Sequence, residues 1–157
     1  MRKTREVTIA AEGRDQGKTF VITEMAASKA EKWGYRALSV AMRGGVDVGN
    51  AINLGMQGVA MIGIGALLSG AMDEAEPLLD EMMSCVKIRV APVPGHPPTP
   101  PRDLWEEDIE EVATLLQLRQ EVFQLHTGFW MAGAASKSTS ETPAMKSSSS
   151  NTSTSPA

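Results

Sequence analysis

The stretch GMQGVAMIGIGALLSGAM, Gly55 to Met72, constrains this chain more than any other. It carries no charge over eighteen residues, so it is either a membrane span or the buried centre of a small protein. A span needs about twenty apolar residues, whereas the run after Gln57 has fifteen. Lys and Arg are distant, at Arg43 and Lys87, and no interfacial Trp or Tyr flanks the run. Five glycines would each weaken a helix in water by about 0.8–1 kcal/mol relative to Ala, so such a helix needs close packing to hold it. Ala51/Gly55, Gly65/Ser69 and Ala66/Gly70 are each spaced by four, which lets two backbones approach. Protein packing is the expectation, without stable membrane insertion.

The rest of the chain supplies material for such a core. Apolar residues are 42% of 157, enough for one domain, and with few aromatics the core is expected to be Ala, Leu, Ile, Val and Met. The net charge of −4 lacks the concentrated basic footprint that nucleic-acid binding needs. Cys85 is the only cysteine, so an intrachain disulfide is excluded, and the N-terminal residues lack the apolar region of a signal peptide. A reducing, cytosol-like compartment is expected.

Val7–Ile9 and Thr19–Thr23 are β-favouring runs around the polar loop Glu12–Lys18, which predicts a hairpin, with Ile88 and Val90 as a candidate third strand. Apolar residues at helical spacing predict a helix from Thr23 or Glu24 to about Met42, with Trp33 as its large anchor and Gly44-Gly45 as its stop. A second helix is expected over about Val48–Ser69. Asp73 and Glu76 have the spacing of a capping box for a third, from Glu74 to about Cys85, with Pro77 near its first turn. Six prolines in Ala91–Pro101 make an extended linker. Asp103 and Glu106 repeat the capping spacing before a fourth helix, from Leu104 to about His126, whose first turns are acidic. From Gly133 onward, thirteen of twenty-five residues are Ser or Thr, and a disordered tail is expected. The fold class is therefore α+β and mainly helical: a hairpin, about four helices and a Ser/Thr-rich C-terminus. The chain divides into a domain over 1–132, with the linker 91–102 inside it, and a tail over 133–157.

Chemistry is sparse. His96 and His126 are thirty residues apart, and no metal-ligand spacing occurs. Cys85 sits among Met82, Met83 and Val86, the setting of a buried thiol. Glu106/Glu110 and Glu107/Glu111 share helix faces and read as a solvated or partner-facing surface. No enzyme, cofactor or metal site is expected.

Three segments together carry a resemblance: REVTIAAEGRDQGKTFVITEMAASKAEKW (5–33), EPLLDEMMSCVKI (76–88) and EEDIEEVATLLQLRQEVFQLHTGF (106–129). They resemble the tail assembly chaperone family of tailed phages and prophages, lambda-like proteins that precede the tape-measure protein. The resemblance implies a non-enzymatic chaperone in the host cytoplasm, absent from the mature virion, that keeps the tape-measure protein soluble during tail assembly. It also implies a frameshifted longer product that recruits the tail tube protein. The Ser/Thr-rich tail departs from the family pattern. Apolar patterning nominates Trp33, Met56, Val59, Met61, Ile62, Leu67, Leu116, Val122, Phe123 and Phe129 for client or partner contact, with a homo-oligomer as a further option. Two alternatives stand beside this reading: a structural minor tail or tube component, and a small membrane-associated protein using 55–72.

Overall fold

A computed structural model describes residues 1–54 and 56–137, with side chains for all of these except 52, 56, 61 and 129–137. An N-terminal hairpin leads into helices, as the patterning predicts. Strands β1 (Thr4–Thr8) and β2 (Thr19–Thr23) pair antiparallel, with Val7 opposite Phe20 and Arg5 opposite Ile22. The sheet is larger than expected. β3 (Val86–Arg89) joins β2, and a two-residue β4 (Arg102–Asp103) joins β3, giving the order β1-β2-β3-β4. Val90, expected in the third strand, lies just beyond it and is exposed. The proline stretch 91–101 thus leaves the sheet after β3 and returns to it at Arg102.

Strand alternation separates the two faces of the sheet. Val7, Phe20, Ile22, Val86 and Ile88 face the core. The opposite face is solvated and carries cross-strand pairs: Glu6 with Arg89, Lys87 with Asp103 at 3.0 Å, and the hydroxyls of Thr8 and Thr19 at 2.9 Å.

Helix α1 (Ala27–Arg43) starts later than Thr23 or Glu24, because Thr23 is still paired with Thr4 in β2 and donates its N–H to the Cys85 carbonyl at 2.9 Å. It ends as its glycines predict. Gly45 has φ +89°, its N–H reaches the Met42 carbonyl, and the Val46 N–H reaches that of Ala41, a Schellman arrangement. Trp33 anchors the buried face, and its indole N–H donates to the Leu78 carbonyl at 3.0 Å.

The expected continuous helix over Val48–Ser69 is not formed. The segment is a 3-10 turn (Gly49–Leu54), a seven-residue α2 (Met56–Ile62) and a second 3-10 turn (Ile64–Ser69). Gly63, at φ +82°, ends α2 in a conformation that a side chain disfavours. The small residues serve contacts within the chain. A Cβ on Gly58 would strike the Ala51 carbonyl, and one on Gly70 would strike Val40 of α1. Among the described residues no helix is long and apolar enough to cross a membrane.

Helix α3 (Met72–Met83) begins one residue before Asp73, after Ala71, with no side-chain cap, so the expected capping box is absent. Pro77 is the sixth residue of the helix rather than within its first turn, and it leaves the Asp73 carbonyl without its usual donor. The fourth helix is displaced further. α4 spans Val112–Lys137, not Leu104–His126. The acidic residues before it form a separate 3-10 turn (Glu106–Asp108), and Asp108, rather than Asp103, caps it by accepting the Trp105 N–H at 2.7 Å. Of the tail expected over 133–157, residues 133–137 are the last turn of α4, and 138–157 lie outside the described residues.

Candidate functional site

Two arrangements stand out, one holding α4 in place and one leaving a groove beside it. The first is built on the hairpin loop. Asp15 is fully buried there. Its carboxylate accepts the N–H groups of Glu110 at 3.1 Å and Glu111 at 3.0 Å, the residues that lead into α4. Lys18 reaches the same carboxylate at 2.7 Å and Glu110 at 3.0 Å. Burial alone would raise the Asp15 pKa. The hydrogen bonds from Lys18, the Glu110 N–H, the Thr114 hydroxyl and the Glu111 N–H outweigh it and lower the pKa to about 2. The Asp15 hydrogen bond holds the Lys18 ammonium above its ordinary range. Arg14 adds a hydrogen bond from its guanidinium to the Glu110 carbonyl at 2.6 Å. The loop therefore caps α4 from a distance, a role that the residues at the helix start do not play themselves.

This changes the reading of the acidic cluster. Glu110 and Glu111 are tied to Arg14 and Lys18, and Asp108 makes a two-pronged pair with Arg102 at 2.7 and 2.8 Å. Arg102 holds the Asp108 carboxyl below the usual range and lies 3.8 Å over the exposed Trp105 ring. These carboxylates are structural partners of the hairpin and the sheet edge. Among the described residues no cluster of three or more His, Cys, Asp or Glu could hold a metal ion. Cys85 is buried, and burial raises the pKa of its thiol, which disfavours the reactive thiolate.

The second arrangement is a groove of about 1100 Å³. α1 forms one wall through Ala27, Ala30, Glu31 and Tyr35. Asn53 and Leu54 of the first 3-10 turn form another, and the approach to β1 (Met1, Arg2, Lys3) closes the far side. Met25 and His126 contribute its floor. The lining is mixed: Met25, Ala27, Ala30, Tyr35 and Leu54 are apolar or aromatic, and Arg2, Lys3, Glu24, Ser28, Glu31 and Asn53 are polar or charged. Tyr35 and Leu54 stay about 40% exposed, at 41% and 42%, so they are available to an occupant.

His126 fixes the floor. Its Nε2 accepts the Met25 N–H at 2.8 Å, and its Nδ1 lies 2.7 Å from the Val122 carbonyl. Only a neutral ring with the proton on Nδ1 satisfies both contacts. Directly beneath, Trp33, Met82, Val122 and Phe123 join Met25 and His126 around a void of about 10 Å³, the size of one water at most. The floor thus separates the open groove from the apolar core.

The nominated contact residues are distributed differently. Trp33, Val59, Leu67, Val122 and Phe123 are buried in the core, and Ile62 packs partly against it. Leu116 is exposed on α4, away from the groove lining. None of these seven lines the groove. The side chains of Met56, Met61 and Phe129 lie outside those described. The groove residues carry no motif, since Tyr35 and Leu54 look like ordinary apolar positions. Asp15 likewise sits in an unremarked polar loop, and no sequence signal marks it as a distant cap.

No protein-family model matches this chain, and neither the curated proteins nor the solved structures include a significant match.

Proposed function

We propose that the protein is a noncovalent chaperone that holds an apolar face of a helical client in the groove bounded by α1, the first 3-10 turn and the approach to β1. The groove carries this reading: about 1100 Å³, with exposed Tyr35 and Leu54 beside Ala27 and Ala30, and charged Arg2, Lys3, Glu24 and Glu31 in the same lining. An amphipathic helix seats its apolar face in such a groove while its polar flanks meet the charged residues. Methionines at its floor and edge, Met25 and Met1, adapt to more than one side chain, which suits a client with many similar helical segments.

The resemblance of 5–33, 76–88 and 106–129 to phage tail assembly chaperones supplies the client: the tape-measure protein, kept soluble in the host cytoplasm until tail assembly. A frameshifted longer product would extend beyond the tail and recruit the tube protein. The contact residues are then Tyr35 and Leu54 rather than the buried part of the nominated set. Coexpression with the tape-measure protein tests the reading. The client is expected in the soluble fraction in complex with this protein, and Leu54→Glu with Tyr35→Glu is expected to lose the complex. A client that stays insoluble, or a complex indifferent to the two substitutions, refutes it.

The structural alternative, a minor tail or tube component, predicts a fixed number of copies in purified virions. The membrane alternative has less support, because α2 at seven residues spans roughly 10 Å, against about 30 Å of hydrocarbon.

A further inference from the structure

We infer that the proline loop between β3 and β4 is a docking ligand, which presents Pro97 and Pro100 to an aromatic-lined groove on another protein. By composition the stretch reads as a linker, and a linker spans a distance. Here there is no distance to span. β3 and β4 are neighbours, with Ile88 opposite Arg102, so the sheet itself brings the ends of the loop together. A two-residue turn can join such strands, yet twelve residues, Val90 to Pro101, are used. Nor do they serve the core: Val90 to Pro100 are exposed, and half-burial begins only at Pro101. Loops of about this length without secondary structure are uncommon in compact domains, and binding is a usual reason for them.

The conformation of the loop is set locally. His96 donates its N–H to the Val93 carbonyl at 3.0 Å, and Gly95 has φ +83°. Val93–His96 is therefore a type II turn, with Pro94 and Gly95 at the positions that favour them. It sends the chain back toward β4. Pro97, Pro98, Pro100 and Pro101 then fix their own φ at about −65°, and each presses the residue before it toward extended ψ. With trans peptide bonds, that combination is polyproline II. About three residues per turn put Pro97 and Pro100 on one edge, roughly 9 Å apart, Pro98 and Pro101 on a second, and His96 and Thr99 on the third. Pro101 is half-buried beside β4, so the proline edge exposed at both positions is Pro97 with Pro100. The far end is fixed: Arg102 pairs in β4, holds Asp108 at 2.7 and 2.8 Å, and lies over Trp105. Much of the freedom that docking would remove is already removed by the fold.

These features select the chemistry of the partner. Four of the five residues from Pro97 to Pro101 have no N–H, so the segment cannot add as a strand to a sheet edge. Its carbonyls only accept, and its rings offer flat apolar faces. The matching surface is a groove of Trp and Tyr rings, whose indole N–H and phenol O–H groups donate to those carbonyls. Val90 to Pro101 contains no Asp, Glu, Lys or Arg, and the flanking Arg89 and Arg102 are engaged by Glu6 and Asp108. Recognition is therefore apolar rather than electrostatic. No residue of the loop lines the groove beside α1, so this inference stands apart from the client reading.

Titration of the full chain with a purified SH3 domain and a purified WW domain, two folds with aromatic proline grooves, tests this. Saturable binding to at least one is expected. Pro97→Ala with Pro100→Ala is expected to weaken it at least tenfold, and Thr99→Ala, on the third edge, by less than about twofold. The affinity is expected to change by less than about twofold between about 0.05 and 0.5 M salt. The double variant is expected to keep the wild-type Tm, because neither ring is buried. Binding to neither domain, binding indifferent to the double substitution or lost equally with Thr99→Ala, binding abolished by salt, or a destabilised double variant overturns the inference.

Discussion

Gly58→Ala isolates what the glycine-rich segment does. In an exposed helix this change stabilises by about 0.8–1 kcal/mol, because Ala loses less backbone freedom on folding. Here the new methyl would fall inside the contact radius of the Ala51 carbonyl oxygen, 2.8 Å from the carbonyl carbon and 3.1 Å from Leu38 Cδ1. The first two are backbone atoms, so relief requires moving the 3-10 turn away from α2. Overpacking of this kind costs about 1–3 kcal/mol, and more when backbone must shift. The cost exceeds the propensity gain, leaving a net loss of about 1–2 kcal/mol. At this chain length that lowers Tm by about 3–6 °C. Gly65→Ala is the matched control, since its Cβ would meet nothing within 4 Å and its φ is not left-handed. It is expected to gain about 0.5–1 kcal/mol. Urea melts of both variants beside the wild type read the difference. Equal stabilisation by the two substitutions would refute the claim that Gly58 exists for close approach within the chain.

Other outcomes follow from the α4 anchor and the groove floor. Asp15→Ala removes the acceptor for the N–H groups before α4 and leaves Lys18 without its closest carboxylate; a loss of about 2–3 kcal/mol is expected in denaturant melts. The Asp15 pKa is lowered in the fold, so its contribution is complete above the ordinary value of 3.8 and is lost as pH falls through about 2. Asp15→Asn is therefore expected to flatten the acid limb of the stability profile between about pH 4 and 2, and an unchanged limb would contradict the assignment. His126→Leu leaves the Met25 N–H without an acceptor, and hydrogen exchange at that amide is expected to rise with a cost of about 1–3 kcal/mol. Cys85 is expected to react with an aromatic disulfide reagent only on the timescale of unfolding; rapid labelling of the native protein would show that the thiol is open.

Much of the fold was legible because periodicity reports which face of an element is buried. Val7, Phe20 and Ile22 alternate as a strand should, and Trp33, Ala37, Val40 and Ala41 recur as a helix face should. Gly44 and Gly45 mark the end of α1 by the same logic of local conformation. Two things were hidden. Apolar composition in Val48–Ser69 suggested one helix, but composition does not say where a glycine takes positive φ, and Gly63 breaks the run. The capping spacing at Asp73/Glu76 marked the start of α3 to within two residues although no side-chain cap forms there, whereas that at Asp103/Glu106 pointed to a helix where a 3-10 turn stands before α4. The true cap of α4, Asp15, is about ninety-five residues away in sequence, beyond any local pattern. The groove was hidden for a related reason: it is made where Met25, Tyr35, Leu54 and His126 converge, and each of them alone reads as ordinary.

The most direct test of the central claim is a binding isotherm between the purified protein and soluble segments of the tape-measure protein, measured by titration calorimetry. The account predicts saturable binding with a negative heat-capacity change, the mark of apolar burial. It predicts a loss of at least tenfold in affinity with Leu54→Glu and none with Leu68→Glu, an exposed residue that does not line the groove. No binding by the folded wild type, or equal loss from both substitutions, would contradict it.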